Sequence, residues 1–174
     1  NVIDSKSNFK KIIRNLSQKA KKNNEVVAIL VRKNTFEKKV QDKQKKTNLL
    51  LREEVLDLIT KIIPRNSIVV STTGILSREL NELIIKNNLK IRNFMCVGGM
   101  GHAISIANGI AINKKTKVFC FDGDGSITMH LGSLATSSKQ NNLVHVIFNN
   151  LSHESVGGHD NSAKHVKFFK FSKE

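Results

Sequence analysis

The sequence predicts an α/β protein, a doubly wound, mostly parallel sheet with helices on both faces. Short apolar runs of strand length alternate with stretches of helical periodicity, the order that builds parallel sheets. Two runs, 118–121 and 143–148, are continuous rather than alternating, as strands buried on both faces are. The first stops in Gly123-Asp124-Gly125 and the second in Asn149-Asn150, at the strand ends where open α/β sheets bind ligands.

The elements follow in order. Residues 5–23 read as an amphipathic helix, with Phe9, Ile12, Ile13, Leu16 and Ala20 on one face, Lys on the other, and Ser5 or Ser7 as cap. Residues 25–31 (E-V-V-A-I-L-V) read as a buried strand. Residues 32–48, rich in Lys and Gln, read as a linker, which leaves 1–31 as the end of a preceding domain and 49–174 as a second domain lacking its last strand and helix. The chain starts with Asn1, so it reads as part of a longer or processed chain. Residues 49–63 form a helix with Leu50, Leu51, Val55, Leu58, Ile59 and Ile62 inward, stopped by Pro64. Residues 67–71 form a short strand that runs into Thr72-Thr73-Gly74, and 77–87 a helix capped by Ser77. Residues 94–97 form the next strand, and Gly98-Gly99-Met100-Gly101 opens a helix through Ala111. A dinucleotide fingerprint would use Gly99 and Gly101 but meets Ile104 at its third glycine, which argues against it. Residues 127–138 read as the crossover helix, 151–161 as a Gly-rich loop at the site edge, and 164–171 as the start of another helix.

With 174 residues, 39% hydrophobic and 25% charged, the chain can bury a real core. No run approaches the roughly 18 apolar residues of a membrane span. Cys96 and Cys120 lie inside apolar runs, which suits reduced, buried thiols and a cytoplasmic protein. The net charge is +15, of which +10 falls in residues 1–65. Such a balance is the footprint of nucleic-acid binding. The chain has no Trp or Tyr to stack on bases, however, so no nucleic-acid partner is expected.

Two parallel strands joined by a helix place their carboxyl ends on one edge, so Asp124 and Asn150 converge. A carboxylate and an amide oxygen together suit a hard cation such as Mg²⁺, which shares its oxygen ligands with phosphates. Gly74, at the start of the following helix, offers backbone N–H groups to an anion.

At these residues the sequence resembles the thiamine-diphosphate enzymes. G-D-G followed by N-N after about two dozen residues looks like their signature. S-T-T-G-I-L-S-R-E-L, V-G-G-M-G-H-A-I-S-I-A-N-G-I-A, D-G-D-G-S-I-T-M-H-L-G-S-L-A-T and N-N-L-S-H-E-S-V-G-G-H narrow the resemblance to the decarboxylases of phosphonopyruvate and, as near relatives, sulfopyruvate, over residues 26–158. His130 and His153-Glu154-Ser155 lean towards the phosphonate branch, since the sulfonate branch more often has Asn and an aromatic there. His159 and Gly99 depart from the family's usual Gln and Ser.

The resemblance implies thiamine diphosphate and Mg²⁺ as cofactors. Asp124, Asn150 and the Ser152 carbonyl would be the metal ligands, and Thr73, Gly74, Gly98, Gly99, Met100, Gly123, Gly125 and Ser126 would contact the cofactor. Gly98 would offer its carbonyl to the 4′-amino group, and Met100 would sit beneath the bent cofactor. The implied reaction is decarboxylation of a 2-keto acid. His102, His130 and His153 are the candidates for catalysis or for binding the distal anion, and His145 and His165 read as structural. It further implies a homo-oligomer with the site shared with a pyrimidine-binding domain. That domain carries the activating Glu, a place that Glu25 and Glu37 do not match, so this chain alone would not turn over. V-A-I-L-V-R-K-N-T-F resembles that domain's closing strand. The reading of a different kind is a non-catalytic thiamine-diphosphate-binding module.

Overall fold

The computed structural model describes residues 1–36 and 49–171. The chain divides into two compact units, Asn1–Asn48 and Leu49–Glu174.

In the first unit, β1 (Val2–Ile3) pairs in parallel with β2 (Leu30–Val31), and α1 (Phe9–Asn23) connects them. Asn8, not Ser5 or Ser7, caps α1, accepting the Lys11 N–H at 3.1 Å. Lys21 and Lys22 close the last turn, favourably placed for the helix dipole. Among the described residues of this unit, only Ile3 and Leu16 of the large apolar side chains are buried. The expected buried strand over 25–31 is therefore corrected to a two-residue strand, and Val26, Leu30 and Val31 are exposed. A strand exists only where a neighbour pairs with it, and β1 offers two residues. The expected linker lies mostly outside the described residues, beyond Phe36.

The second unit holds the main sheet. Its elements are α2 (Arg52–Ile62), β3 (Ile68–Ser71), α3 (Ile75–Lys86), β4 (Arg92–Met95), α4 (Ala103–Asn113), β5 (Val118–Gly123), α5 (Asp124–Thr128), α6 (Ser133–Ser137) and β6 (Leu143–Phe148). After these come a short antiparallel pair, β7 (Ser152–His153) with β8 (His159–Asp160), and α7 (Phe168–Phe171). The strand order is β4-β3-β5-β6, all parallel.

This order follows from handedness. Right-handed crossovers put the helix on one face when the chain moves outward from β3 to β4, and on the other when it doubles back to β5. Accordingly Ile68, Val70, Val118 and Cys120 pack against Ala103, Ile104, Ala107 and Ala111 of α4. Val69 and Phe121 face the opposite way, against Leu56 of α2 and Leu76, Leu80 and Leu83 of α3. The period of two along β3 and β5 thus divides the core into two layers. The reversal of direction between β3 and β5 is a topological switch point, where neighbouring loops diverge and leave a crevice.

Several expected details change. In α2 the buried residues are Leu56 and Thr60, while Leu50, Leu51, Leu58 and Ile62 are exposed. The helix turns its Leu56–Ile59–Ile63 side to α3, because that line meets Leu80 and Leu83. α3 starts at Ile75 with Gly74 at its cap, so Ser77 lies in the first turn. There its hydroxyl donates to the Thr72 carbonyl instead of capping. The expected crossover helix over 127–138 is two short helices. The turn between them closes as Ser133 donates to the His130 carbonyl at 2.7 Å. The 151–161 loop contains the β7–β8 pair. Cys96 and Cys120 are free and buried, as expected. Among the described residues no helix is long and apolar enough to cross a membrane.

Candidate active site

The crevice at the ends of β3, β5 and β6 is a cleft of about 610 Å³. Its walls include Thr72, Thr73 and Gly74 after β3, Gly123 to Ser126 after β5, Asn149 and Asn150 after β6, and Met100 after β4. Ser152, His153, Glu154 and Ser155 close one side.

Asp124 is the node. It is buried, and four N–H groups point at its carboxylate. Oδ2 accepts from the Asn150 backbone at 3.1 Å and from Leu151, while Oδ1 accepts from Gly125 at 2.6 Å and from the Asn161 amide at 3.1 Å. The Asn150 side-chain oxygen accepts the Ser152 N–H at 3.1 Å. Asp124, Asn150 and Ser152, the three expected metal ligands, are therefore linked in one hydrogen-bonded chain at the cleft wall. To present its N–H to Asp124, Leu151 adopts φ +59°, a left-handed conformation uncommon for a non-glycine residue.

A second knot ties three loops together. Ser126 Oγ lies 2.8 Å from Thr72 Oγ1 and accepts the Gly101 N–H at 2.9 Å, all buried. Gly101 has φ +87°, and a Cβ there would stand 3.0 Å from the Met129 Cβ and 3.2 Å from the Ser126 carbonyl. Only glycine lets the β4 loop approach α5 so closely. The Ser126 hydroxyl thus serves inside the protein, joining the ends of β3, β4 and β5.

The segment after β6 lies across the crevice. Ser155 Oγ accepts the Ile75 N–H at 3.3 Å, at the amino end of α3, where unpaired backbone donors favour an anionic oxygen. Gly74 makes room for it, since a Cβ there would meet Ser155 Oγ at 2.6 Å and φ is +105°. The His153 ring covers Gly125, its Cε1 2.5 Å from where a Cβ would be. Glu154 pairs with Arg52, which also grips Glu79 through two hydrogen bonds of 2.7 and 2.8 Å. The Glu79 and Glu154 carboxylates push the Arg52 guanidinium further up, so it stays charged. Gly74→Ala therefore adds both a left-handed penalty and a clash. We expect a stability loss of about 1–3 kcal/mol by urea unfolding.

The histidines divide into two places. His153 lines the cleft. His102 and His130 are exposed, outside the residues lining the cleft, and lie together with ring centroids 5.7 Å apart. Ser105 Oγ is 3.4 Å from His130 Nδ1. Gly98 and Gly99 are also outside the lining residues, with no neighbour that a Cβ at Gly98 would meet within 4 Å. Sequence reasoning missed Asn161, Thr72, Arg52 and Glu79. Nothing local marks Asn161, which reaches Asp124 only because the β7–β8 turn folds back.

The donor set at the cleft fits a diphosphate bridged by a hard cation. A carboxylate, an amide oxygen and a backbone carbonyl supply oxygen ligands only. The Ile75 N–H at the head of α3 already holds a hydroxyl oxygen where an anion would go. Cleft and fold together define a diphosphate-cofactor domain. Residues 73–173 match the model for thiamine pyrophosphate enzymes, C-terminal TPP binding domain, and the chain belongs to that family.

Among characterised proteins the chain is similar to two kinds. It is 41% identical over 109 residues to a phosphonopyruvate decarboxylase of Streptomyces viridochromogenes, covering 62% of this chain and 26% of that protein. It is 43% identical over 107 residues to sulfopyruvate decarboxylase subunit beta of Methanocaldococcus jannaschii, covering 59% and 55%. The corresponding beta subunit of Methanococcus maripaludis is 33% identical over 126 residues, covering 71% and 65%. The chain thus spans about a quarter of the first of these relatives and less than two thirds of the others.

Proposed function

We propose that the whole protein is a thiamine-diphosphate- and Mg²⁺-dependent decarboxylase of a 2-keto acid, converting phosphonopyruvate to phosphonoacetaldehyde and CO₂. The observation that carries this reading is the Asp124–Asn150–Ser152 chain of hydrogen bonds at the wall of a cleft in a TPP-binding domain. Asp124 and Asn150 by side chain, and Ser152 by its carbonyl, would hold the metal. Thr73, Gly74 and the Ile75 N–H would hold the diphosphate, with Gly123, Gly125 and Ser126 lining it and Met100 beneath the cofactor. When bound, the cofactor supplies the nucleophilic carbon and the electron sink that decarboxylation requires.

Relatives named as beta subunits support an assembly of chains. The activating Glu would come from a pyrimidine-binding domain. Residues 1–31 are read as the end of such a domain.

The choice of substrate rests on imidazoles. A phosphonate can carry a second charge and a proton near neutral pH, whereas a sulfonate carries one charge. Ser105 engages His130 Nδ1, which leaves Nε2 for a ligand, and His102 stands beside it. The pair is exposed and outside the residues lining the cleft, and as imidazoles it would suit a dianion by charge and hydrogen bond together. His153 lines the cleft, which supports a role in proton transfer.

The expected result is a kcat/KM for phosphonopyruvate at least roughly tenfold above that for sulfopyruvate or pyruvate, about 1.4 kcal/mol. His130→Asn should narrow the gap between the two anions more than it slows pyruvate. Equal turnover of all three acids, or a preference for sulfopyruvate, rejects the phosphonate reading. Sulfopyruvate is the second reading, favoured by the similarity to the beta subunits.

A further inference from the structure

β5 and β6 carry a second set of metal-ligating groups behind the cleft. Cys120 and Asp122 lie two residues apart on β5, and His145 sits directly across from Cys120 on β6. Strand alternation turns all three to the α4 side, where Val118, Cys120 and Leu143 already pack. One ligand atom from each, a thiol sulfur, a carboxylate oxygen and an imidazole nitrogen, lies within 4.8 Å of the others. Cys120 and Asp122 are fully buried, and the His145 side chain is 13% exposed.

The hydrogen bonding around this cluster is incomplete. Asp122 Oδ1 accepts the Gly123 N–H at 3.0 Å. Asp122 Oδ2 and both ring nitrogens of His145 are buried without a hydrogen-bond partner. His145 Nε2 and Asp122 Oδ2 approach to 3.5 Å, an ion-pair distance without hydrogen-bond geometry. A buried carboxylate oxygen with no donor is costly, so its natural complement is a positive charge.

From this geometry we infer that Cys120, Asp122 and His145 form a binding site for a borderline-soft divalent cation of the Zn²⁺ class, separate from the Mg²⁺–diphosphate site. Thiolate, imidazole and carboxylate are Zn²⁺ ligands, and a thiolate is the wrong partner for Mg²⁺. One thiolate and one carboxylate neutralise a divalent ion, so the filled site places no net charge in the core. Three protein ligands leave a fourth position open. Cys96, the second buried thiol of the same apolar cluster, is within electrostatic reach of Asp122. Burial, and after it the Asp122 carboxylate, pushes the Cys120 thiol up, so the ion competes with a proton and releases it on binding. A bound ion would tie β5 to β6 a few residues before Asp124 and Asn150. It would therefore stiffen the frame of the cleft without touching the cofactor.

The test uses the full-length protein, stripped of metal and kept in excess Mg²⁺ so that the oxygen site is filled. Titration with Co²⁺ should give one equivalent per chain and a thiolate-to-cobalt charge-transfer band, displaced by Zn²⁺ and not by Mg²⁺. Cys120→Ser, nearly isosteric, should abolish the band and weaken Zn²⁺ by roughly 100-fold or more. His145→Gln should weaken it by roughly 10- to 100-fold. Zn²⁺ should raise the Tm of the wild type and not that of Cys120→Ser. Retained Mg²⁺-dependent cofactor binding certifies that each variant is folded. Absence of the band in the wild type, or unchanged Zn²⁺ affinity in both variants, overturns the site and leaves a plain Asp122–His145 core pair.

Discussion

Asp124→Ala, made in the full-length protein, should remove Mg²⁺-dependent binding of thiamine diphosphate. The expected loss of affinity is roughly 1,000-fold, about 4 kcal/mol. Asp124 offers the only carboxylate among the three proposed ligands, and a hard cation loses its main electrostatic partner with it. The same change orphans the N–H groups of Gly125, Asn150 and Leu151 and the amide of Asn161. Each costs about 1–3 kcal/mol if it stays dry. Two of these four donors, the N–H groups of Asn150 and Leu151, sit on partly exposed backbone after β6, so water can reach them and the global penalty should be smaller than four dry donors would give. Residues 150–161 should instead become more sensitive to protease while the sheet persists. Titration calorimetry with and without a chelator checks the first effect, and limited proteolysis checks the second. Unchanged cofactor affinity would reject the metal assignment. Asp124→Asn should fall between, because an amide keeps one acceptor but loses the charge.

Phe121→Ala should produce the largest loss of stability, about 3–5 kcal/mol. Phe121 is fully buried in the layer between the sheet and α2–α3. Its ring meets Phe119 edge-on at 6.4 Å and Phe148 at 6.0 Å, so truncation removes two aromatic contacts as well as volume. Against a typical total of about 5–15 kcal/mol, such a loss leaves a marginal domain. Urea unfolding should show the midpoint falling with little change in slope. Phe121→Leu, which keeps most of the volume, should cost less than half as much. Because Phe121 lies on β5 three positions before Asp124, which opens α5, cofactor affinity should fall as well. A loss below about 1 kcal/mol would mean that the α2–α3 layer repacks freely, contrary to the close packing of protein interiors.

The sheet was largely legible from the sequence. Residues 143–148 are the strand expected there, and 118–121 needed only its last two residues added. β5 is covered on both faces and leaves an unbroken apolar run, whereas β6, at the edge of the described sheet, is only partly covered, with Val144 exposed. Neither needs knowledge of its neighbours to be recognised. The glycines at 74, 98, 101 and 125 were equally visible, because a backbone that must turn or approach closely excludes other residues. In the same way Asp124 and Asn150 could be brought together on paper. Parallel strands joined by a crossover share an edge.

Tertiary structure decided what pattern alone leaves open. An apolar-rich helix such as α2 has more hydrophobic residues than it can bury, and only contact with Leu80 and Leu83 selects Leu56 over Leu58 and Ile62. Residues 127–138 have helical periodicity, yet the turn at 129–132 breaks them into two short helices. Residues 25–31 have strand composition, yet two residues of partner allow two residues of strand. The grip of Asn161 on Asp124, the Arg52–Glu79–Glu154 cluster and the orphaned atoms of Asp122 and His145 all join residues far apart in the chain. The strands of the main sheet and the turn chemistry were determined by the sequence itself, since each depends on local backbone and side-chain preference, and the convergence of Asp124 with Asn150 followed from the topology of parallel strands. Which faces are buried, and which polar groups find partners, depends on non-local contacts that exist only once the layers have packed.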